Sequence, residues 1–92
     1  MRYEWDPQKN EWLKAERNSS FEKIRYHLTR GDVWKRADHP DRGNYPGQKI
    51  YFVIVDEYIY IVPHVIEKDY IFLKTIIPRR KATMEYKKER EG

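Results

Sequence analysis

The chain has 92 residues, no cysteine and a net charge of +4, which leaves room for one modest core and excludes disulfide staples and thiolate metal sites. Its opening, MRYEWDPQKN, is charged from the second residue and lacks the apolar run of a signal peptide, and the longest apolar stretches, Ile50–Val55 and Tyr58–Pro63, are too short to cross a bilayer. The expectation is one soluble, cytoplasmic domain over residues 1–92, with no membrane association.

The first third reads as helix. Asp6 before Pro7 is a helix start, the carboxylate capping free N–H groups and the proline sitting where no N–H is needed. That helix is expected to run to about Arg17, burying Trp12 and Leu13, and to end at Asn18, a residue that tolerates left-handed backbone. Ser19-Ser20-Phe21-Glu22 has the spacing of a capping box, and Phe21, Ile24 and Leu28 recur on one helical stripe that Gly31 stops. A connection this short folds the two helices into a hairpin.

Residues 31–48 are punctuated by Pro40, Gly43, Pro46 and Gly47 and read as loop, with Val33–Arg36 as a short edge strand. Three β-branched and aromatic segments follow, Lys49–Val55, Tyr58–Ile66 and Tyr70–Ile77. The connections between them are short enough to force antiparallel neighbours. Pro78 closes the last strand, and Lys81–Arg90 reads as a short charged helix. The predicted architecture is α+β: two amino-terminal helices on an antiparallel sheet of three to four strands, then a carboxy-terminal helix.

Strand residues alternate between faces, which sorts the sheet into two sides. Ile50, Phe52, Ile54, Ile59, Ile61, Val65, Ile71, Leu73 and Ile77 form an aliphatic side expected to receive the helix hairpin. Tyr51, Tyr58, Tyr60, Tyr70 and Phe72, with Lys49, Lys74 and His64 among them, form the other. That second side is either packed by the last helix or a partner chain, or it is a platform on which RNA bases stack while lysines hold phosphates. Charge is uneven in a way that suits a polyanion: residues 78–92 carry six basic and three acidic groups. The histidines, at 27, 39 and 64, lack the spacing of a zinc motif. No metal site and no cofactor is expected.

Several segments resemble a known family. Tyr3-Glu4-Trp5-Asp6-Pro7-Gln8-Lys9-Asn10 is similar to the opening of the BrnT-type toxins of bacterial type II toxin–antitoxin systems, Phe21-Glu22 to their second-helix Phe-Glu, and Ile76-Ile77-Pro78-Arg79-Arg80-Lys81-Ala82-Thr83 to their closing motif. The likeness departs at Glu16-Arg17-Asn18, where the family has Lys-His-Gly, at Pro78, where it has serine, and at Arg90, where it has a tyrosine. It implies a RelE-like fold, a ribonuclease that blocks translation (on or off the ribosome) and a DNA-binding antitoxin of the ribbon-helix-helix kind. Operator DNA would be reached only through the toxin–antitoxin complex. The alternative is a non-catalytic nucleic-acid-binding or antitoxin-binding module.

RNA cleavage by the ribose 2′-hydroxyl needs a base, positive charge on the crowded phosphate and a proton for the leaving oxygen. Lys49, Arg80 and Lys81 are the candidates for the charge, with the last two matching the basic pair of the closing motif. His64 is the candidate acid or base, with His39 a lesser one and His27 a surface residue. Tyr51, Tyr60, Lys74 and Arg79 are the candidates for holding RNA.

Overall fold

A computed structural model describes residues 1–92. The elements run β1 (Arg2–Glu4), α1 (Pro7–Arg17), α2 (Phe21–Arg30), β2 (Val33–Asp38), β3 (Gln48–Val55), β4 (Tyr58–Ile66), β5 (Tyr70–Leu73), β6 (Ile77–Pro78) and α3 (Arg80–Glu91). The architecture is α+β, with three helices and a mixed six-stranded sheet ordered β1-β5-β4-β3-β2, β6 pairing β4 off that path.

The helix hairpin forms where its caps place it. The Asp6 carboxylate accepts from the Gln8 N–H, Pro7 takes the first helical position, and Asn18 closes α1 at φ 50°. The predicted capping box is only half made. Ser20, rather than Ser19, caps α2 by accepting from the Lys23 N–H, and the Glu22 carboxylate turns away to accept from Asn10 Nδ2 at 2.8 Å. Asn10 Oδ1 accepts from the Phe21 N–H, also at 2.8 Å. One buried amide thus ties α1 to the first turn of α2.

Three features of the sheet depart from expectation. Residues 2–4 form a strand that pairs in parallel with β5; a three-residue run among charged side chains carries no periodicity to reveal it. The expected strand Tyr70–Ile77 is broken after Leu73, and Ile77–Pro78 returns to pair with Tyr60 and Ile61 instead. The third concerns which side is covered. Lys49, Tyr51, Val53 and Val55 lie directly across from His64, Val62, Tyr60 and Tyr58, and this is the side that meets the helices: Leu13, Phe21, Ile24 and Leu28 pack with Tyr51, Val53, Val55, Val62, Ile71 and Leu73. The hairpin therefore sits on the side expected to be open.

Register explains the reversal. Leu73 pairs with His64, and Phe72 with Val65, so Ile71 and Leu73 join the tyrosine side of β3 and β4, while Tyr70 and Phe72 fall on the other. The supposed platform of five rings is split by the sheet. Tyr51, Val53, Val55 and Val62, with Ile71 and Leu73, form the floor under α1 and α2.

The opposite side, with Ile50, Phe52, Ile59 and Ile61, receives α3. Ala82 and Thr83 are buried against it. The Thr83 hydroxyl accepts from the Ile59 N–H and donates to the Arg79 carbonyl, both at 2.8 Å. Trp34 meets Phe52 and Tyr86 edge-on, at 6.0 and 5.8 Å between centroids. This contact supplies the packing that α3, polar over most of its surface, lacks by itself. No helix is long and apolar enough to cross a membrane.

Candidate functional site

β2 and β3 pair Arg36 with Tyr51 and Asp38 with Lys49, and β3 and β4 pair Lys49 with His64. Cross-strand partners share a side of the sheet, so Arg36, Asp38, Lys49, Tyr51 and His64 converge at the end of the strands. There, with Ala37, Ile50 and Ile66, they line a cleft of about 350 Å³.

His64 is 1% exposed and its ring lies against Tyr51, centroids 3.7 Å apart and planes 9° from parallel. Its Nδ1 is 3.0 Å from the Val62 carbonyl. A carbonyl only accepts, so Nδ1 carries the proton and Nε2 holds the lone pair. Every sealed side-chain nitrogen or oxygen has a hydrogen-bond partner; Nε2, which has none in the protein, is therefore not fully sealed, and His64 lines the cleft. Burial pushes the imidazole pKa below its ordinary 6.5, and the charges of Lys49 and Arg36 push the same way against the Val62 bond. The ring is neutral at neutral pH, in a cleft that Arg36 and Lys49 also line.

The surrounding groups are fixed by pairing. The Arg36 guanidinium lies 5.7 Å from the Tyr51 ring centre. The Tyr51 hydroxyl is held protonated, its pKa raised above 10.0 by burial and by Tyr3, with Arg36 opposing. Lys49 Nζ is 2.7 Å from Asp38 Oδ1, and Arg42 bonds the other oxygen of the same carboxylate. Hydrogen bonds from Lys49 first and Arg42 second hold Asp38 below its ordinary 3.8.

Of the residues expected to act, the cleft joins Lys49, His64 and Tyr51. Tyr51, however, is covered by His64 and is no stacking surface for a base. Tyr60 packs at the edge of the core beneath the hairpin and lines a crevice with Asn18, Ser20 and Lys23. Lys74 lies over the Phe72 ring at 5.1 Å, outside the cleft. Arg79 and Lys81 lie across the sheet, on the rim of a groove of about 480 Å³ floored by Ile50, Phe52, Ile61 and Pro63. Arg80 is exposed at the first turn of α3. The basic run of α3 and the histidine cleft thus open on opposite sides of the sheet, because Ile50 and Ile61 alternate with Tyr51 and His64, and they meet at the β2 edge, where Ala37, Asp38 and Ile50 border both hollows.

The other two histidines have structural work. His39 Nδ1 accepts from the Asp41 N–H at 3.0 Å and its ring stacks on Tyr45 at 4.3 Å, ordering the loop between β2 and β3. His27 Nδ1 lies 2.9 Å from Asp32 at the end of α2. Arg36, Asp38 and Arg42 were not among the expected residues. Continuing the β2 alternation two residues past Arg36 finds the first two, but the bulge between Val33 and Lys35 breaks that alternation where it begins.

Comparison with protein-family models, with curated proteins and with solved structures finds no match for this chain.

Proposed function

We propose that this chain is a toxin-like endoribonuclease, the toxin component of a type II toxin–antitoxin pair, and that the histidine cleft is its active site. The observation that carries the proposal is the neutral His64, its Nδ1 bound to Val62, in a cleft that Arg36 and Lys49 also line. In the proposed reaction Nε2 takes the proton of the ribose 2′-hydroxyl, whose oxygen attacks the adjacent phosphorus. The 5′-oxygen leaves with a proton from solvent at the mouth of the cleft, yielding a 2′,3′-cyclic phosphate and a 5′-hydroxyl. Arg36 and Lys49 carry the charge that builds on the phosphate oxygens, the role a metal plays in other nucleases.

The order of elements, a helix hairpin ahead of β2–β6 and a helix after them, and the motifs at Tyr3–Asn10, Phe21-Glu22 and Ile76–Thr83 support a RelE-like fold of the BrnT kind. Arg79, Arg80, Lys81 and Lys74 would then serve RNA or partner binding away from the reacting bond. RNA, free or on a ribosome, is the proposed substrate. A ribbon-helix-helix antitoxin is the proposed partner, through which operator DNA is met.

A non-catalytic antitoxin-binding module is the alternative, favoured by the larger and more aliphatic groove beside Arg79 and Lys81. One set of proteins separates the two. Wild type, His64→Ala, Arg36→Ala/Lys49→Ala and Arg80→Ala/Lys81→Ala are each expressed and incubated with RNA. Cleavage by wild type that is lost in the first two variants and kept in the third is the expected result. An inert wild type refutes the enzyme, and a folded His64→Ala protein that cleaves as well as wild type refutes the site.

A further inference from the structure

Lys49 of the cleft and Arg42 beside it already hold an anion, and it belongs to the protein. Lys49 Nζ lies 2.7 Å from one oxygen of Asp38 and Arg42 bonds the other. Lys49 comes from β3 and Arg42 from the loop after β2, so two separate segments present donors to one pair of oxygens. A phosphate offers the same two-oxygen edge with more charge. The junction is open on both sides. Asp38 and Lys49 border the His64 cleft and also the hollow lined by Arg42, Tyr45 and Gly47.

We propose that the Asp38 carboxylate occupies an oxyanion site built by Lys49 and Arg42, and that a phosphate group of RNA binds there by displacing it. RNA as the source of that phosphate rests on the function proposed above; the anion site itself does not. The charges decide the exchange. Asp38, pinned by two cations, stays ionised at any working pH and always competes for Lys49. Its side chain is 44% exposed, as is half of the Lys49 side chain. Exposed pairs are weak and screened by salt, so an incoming phosphate displaces the carboxylate at little cost. Weak, non-specific polyanions meet a cleft whose lysine is already neutralised. A phosphate whose neighbours fit the cleft releases it.

The test uses the whole chain with Asp38→Asn. Its control is Asp41→Asn, which removes the same charge three residues away, from a carboxylate bonded to Asn44 rather than to a cation. Inorganic phosphate is titrated while the backbone amides of residues 36–49 are followed by NMR. A 2′-O-methyl oligoribonucleotide, which cannot be cleaved, is then titrated at several salt concentrations. Asp38→Asn is expected to bind phosphate roughly threefold to tenfold tighter than wild type, and to steepen the salt dependence of oligonucleotide binding by about 0.7 for each further phosphate neutralised. Asp41→Asn should match wild type, and adding Lys49→Ala to Asp38→Asn should erase the gain. Equal behaviour of the two asparagine variants, or no tightening in Asp38→Asn, overturns the anion site even if wild type cleaves RNA. Tighter phosphate binding by Asp38→Asn in a protein that cleaves no RNA leaves the site standing and refutes the ribonuclease.

Discussion

The imidazole of His64 lies flat on the phenol of Tyr51, with centroids 3.7 Å apart. The stack holds the histidine ring in one orientation, and the Val62 carbonyl fixes its tautomer, so the basic nitrogen is aimed without a carboxylate behind it. That separates the two residues by role. His64→Ala should lower RNA cleavage by roughly 10²- to 10⁴-fold. Tyr51→Phe, which keeps the ring and loses only a hydroxyl, should retain most activity. Initial rates on a short RNA measure both.

The pH profile should carry the same signature. Only the neutral imidazole accepts a proton, and its pKa lies below the ordinary 6.5. Cleavage should therefore still exceed half its maximum at pH 6.5 and fall as the medium becomes more acid. A profile already half lost at 6.5 or above would show that another group titrates.

Folding stability should respond over the same interval. The unfolded chain binds a proton at His64 more readily than the folded one, so stability is complete above the unfolded pKa and is lost as pH falls from about 6.5 toward the folded value. The depressed carboxylates, Glu22, Asp38 and Asp41, act at lower pH, below 4.5 and 3.8. His64→Gln should flatten the melting temperature between pH 6.5 and 5 while leaving the steeper acid loss in place.

Asn10→Ala should destabilise the protein by about 1–3 kcal/mol, because it strands the buried Phe21 N–H and frees Glu22. Urea denaturation measures this. The contact also joins two of the segments on which the proposed family reading rests. The Tyr3–Asn10 motif reaches Phe21-Glu22 physically, with Trp5 stacked on Phe21 at 5.5 Å and Asn10 bonded to both residues. Ala82 and Thr83 of the closing motif dock α3. The most recognisable residues therefore hold the structure together, and the histidine cleft lies outside all three motifs.

That division sets what was legible in the chain. Caps and a stripe located α1 and α2, since each is written within a few consecutive residues, and the charged run after Pro78 located α3. Strand alternation correctly separated Tyr51 and His64 from Ile50 and Ile61. It could not say which side the helices cover, because valine and tyrosine make as good a floor as isoleucine. Nor could it give the register of β5, which depends on pairing between distant segments. Arg80 and Lys81 looked like partners of His64 because nothing local reveals a sheet standing between them.

The β3–β4 turn offers a test of backbone strain. Asp56 and Glu57 both hold positive φ, at 52° and 64°, where asparagine followed by glycine is preferred. Asp56→Asn/Glu57→Gly should raise stability by roughly 1 kcal/mol, despite losing the exposed contacts to Lys23 and Arg90. Thermal unfolding of the double variant checks it.

The parallel pairing of Arg2 with Tyr70 also orders events during synthesis. The first strand emerges early but finds its neighbour only after most of the chain has been made. The floor under Leu13, Phe21, Ile24 and Leu28 comes mostly from β3 and β4, which precede Tyr70 in the chain. The segments that line the cleft, residues 36–66, likewise precede it, so β1 closes the sheet around a site whose own strands are already made.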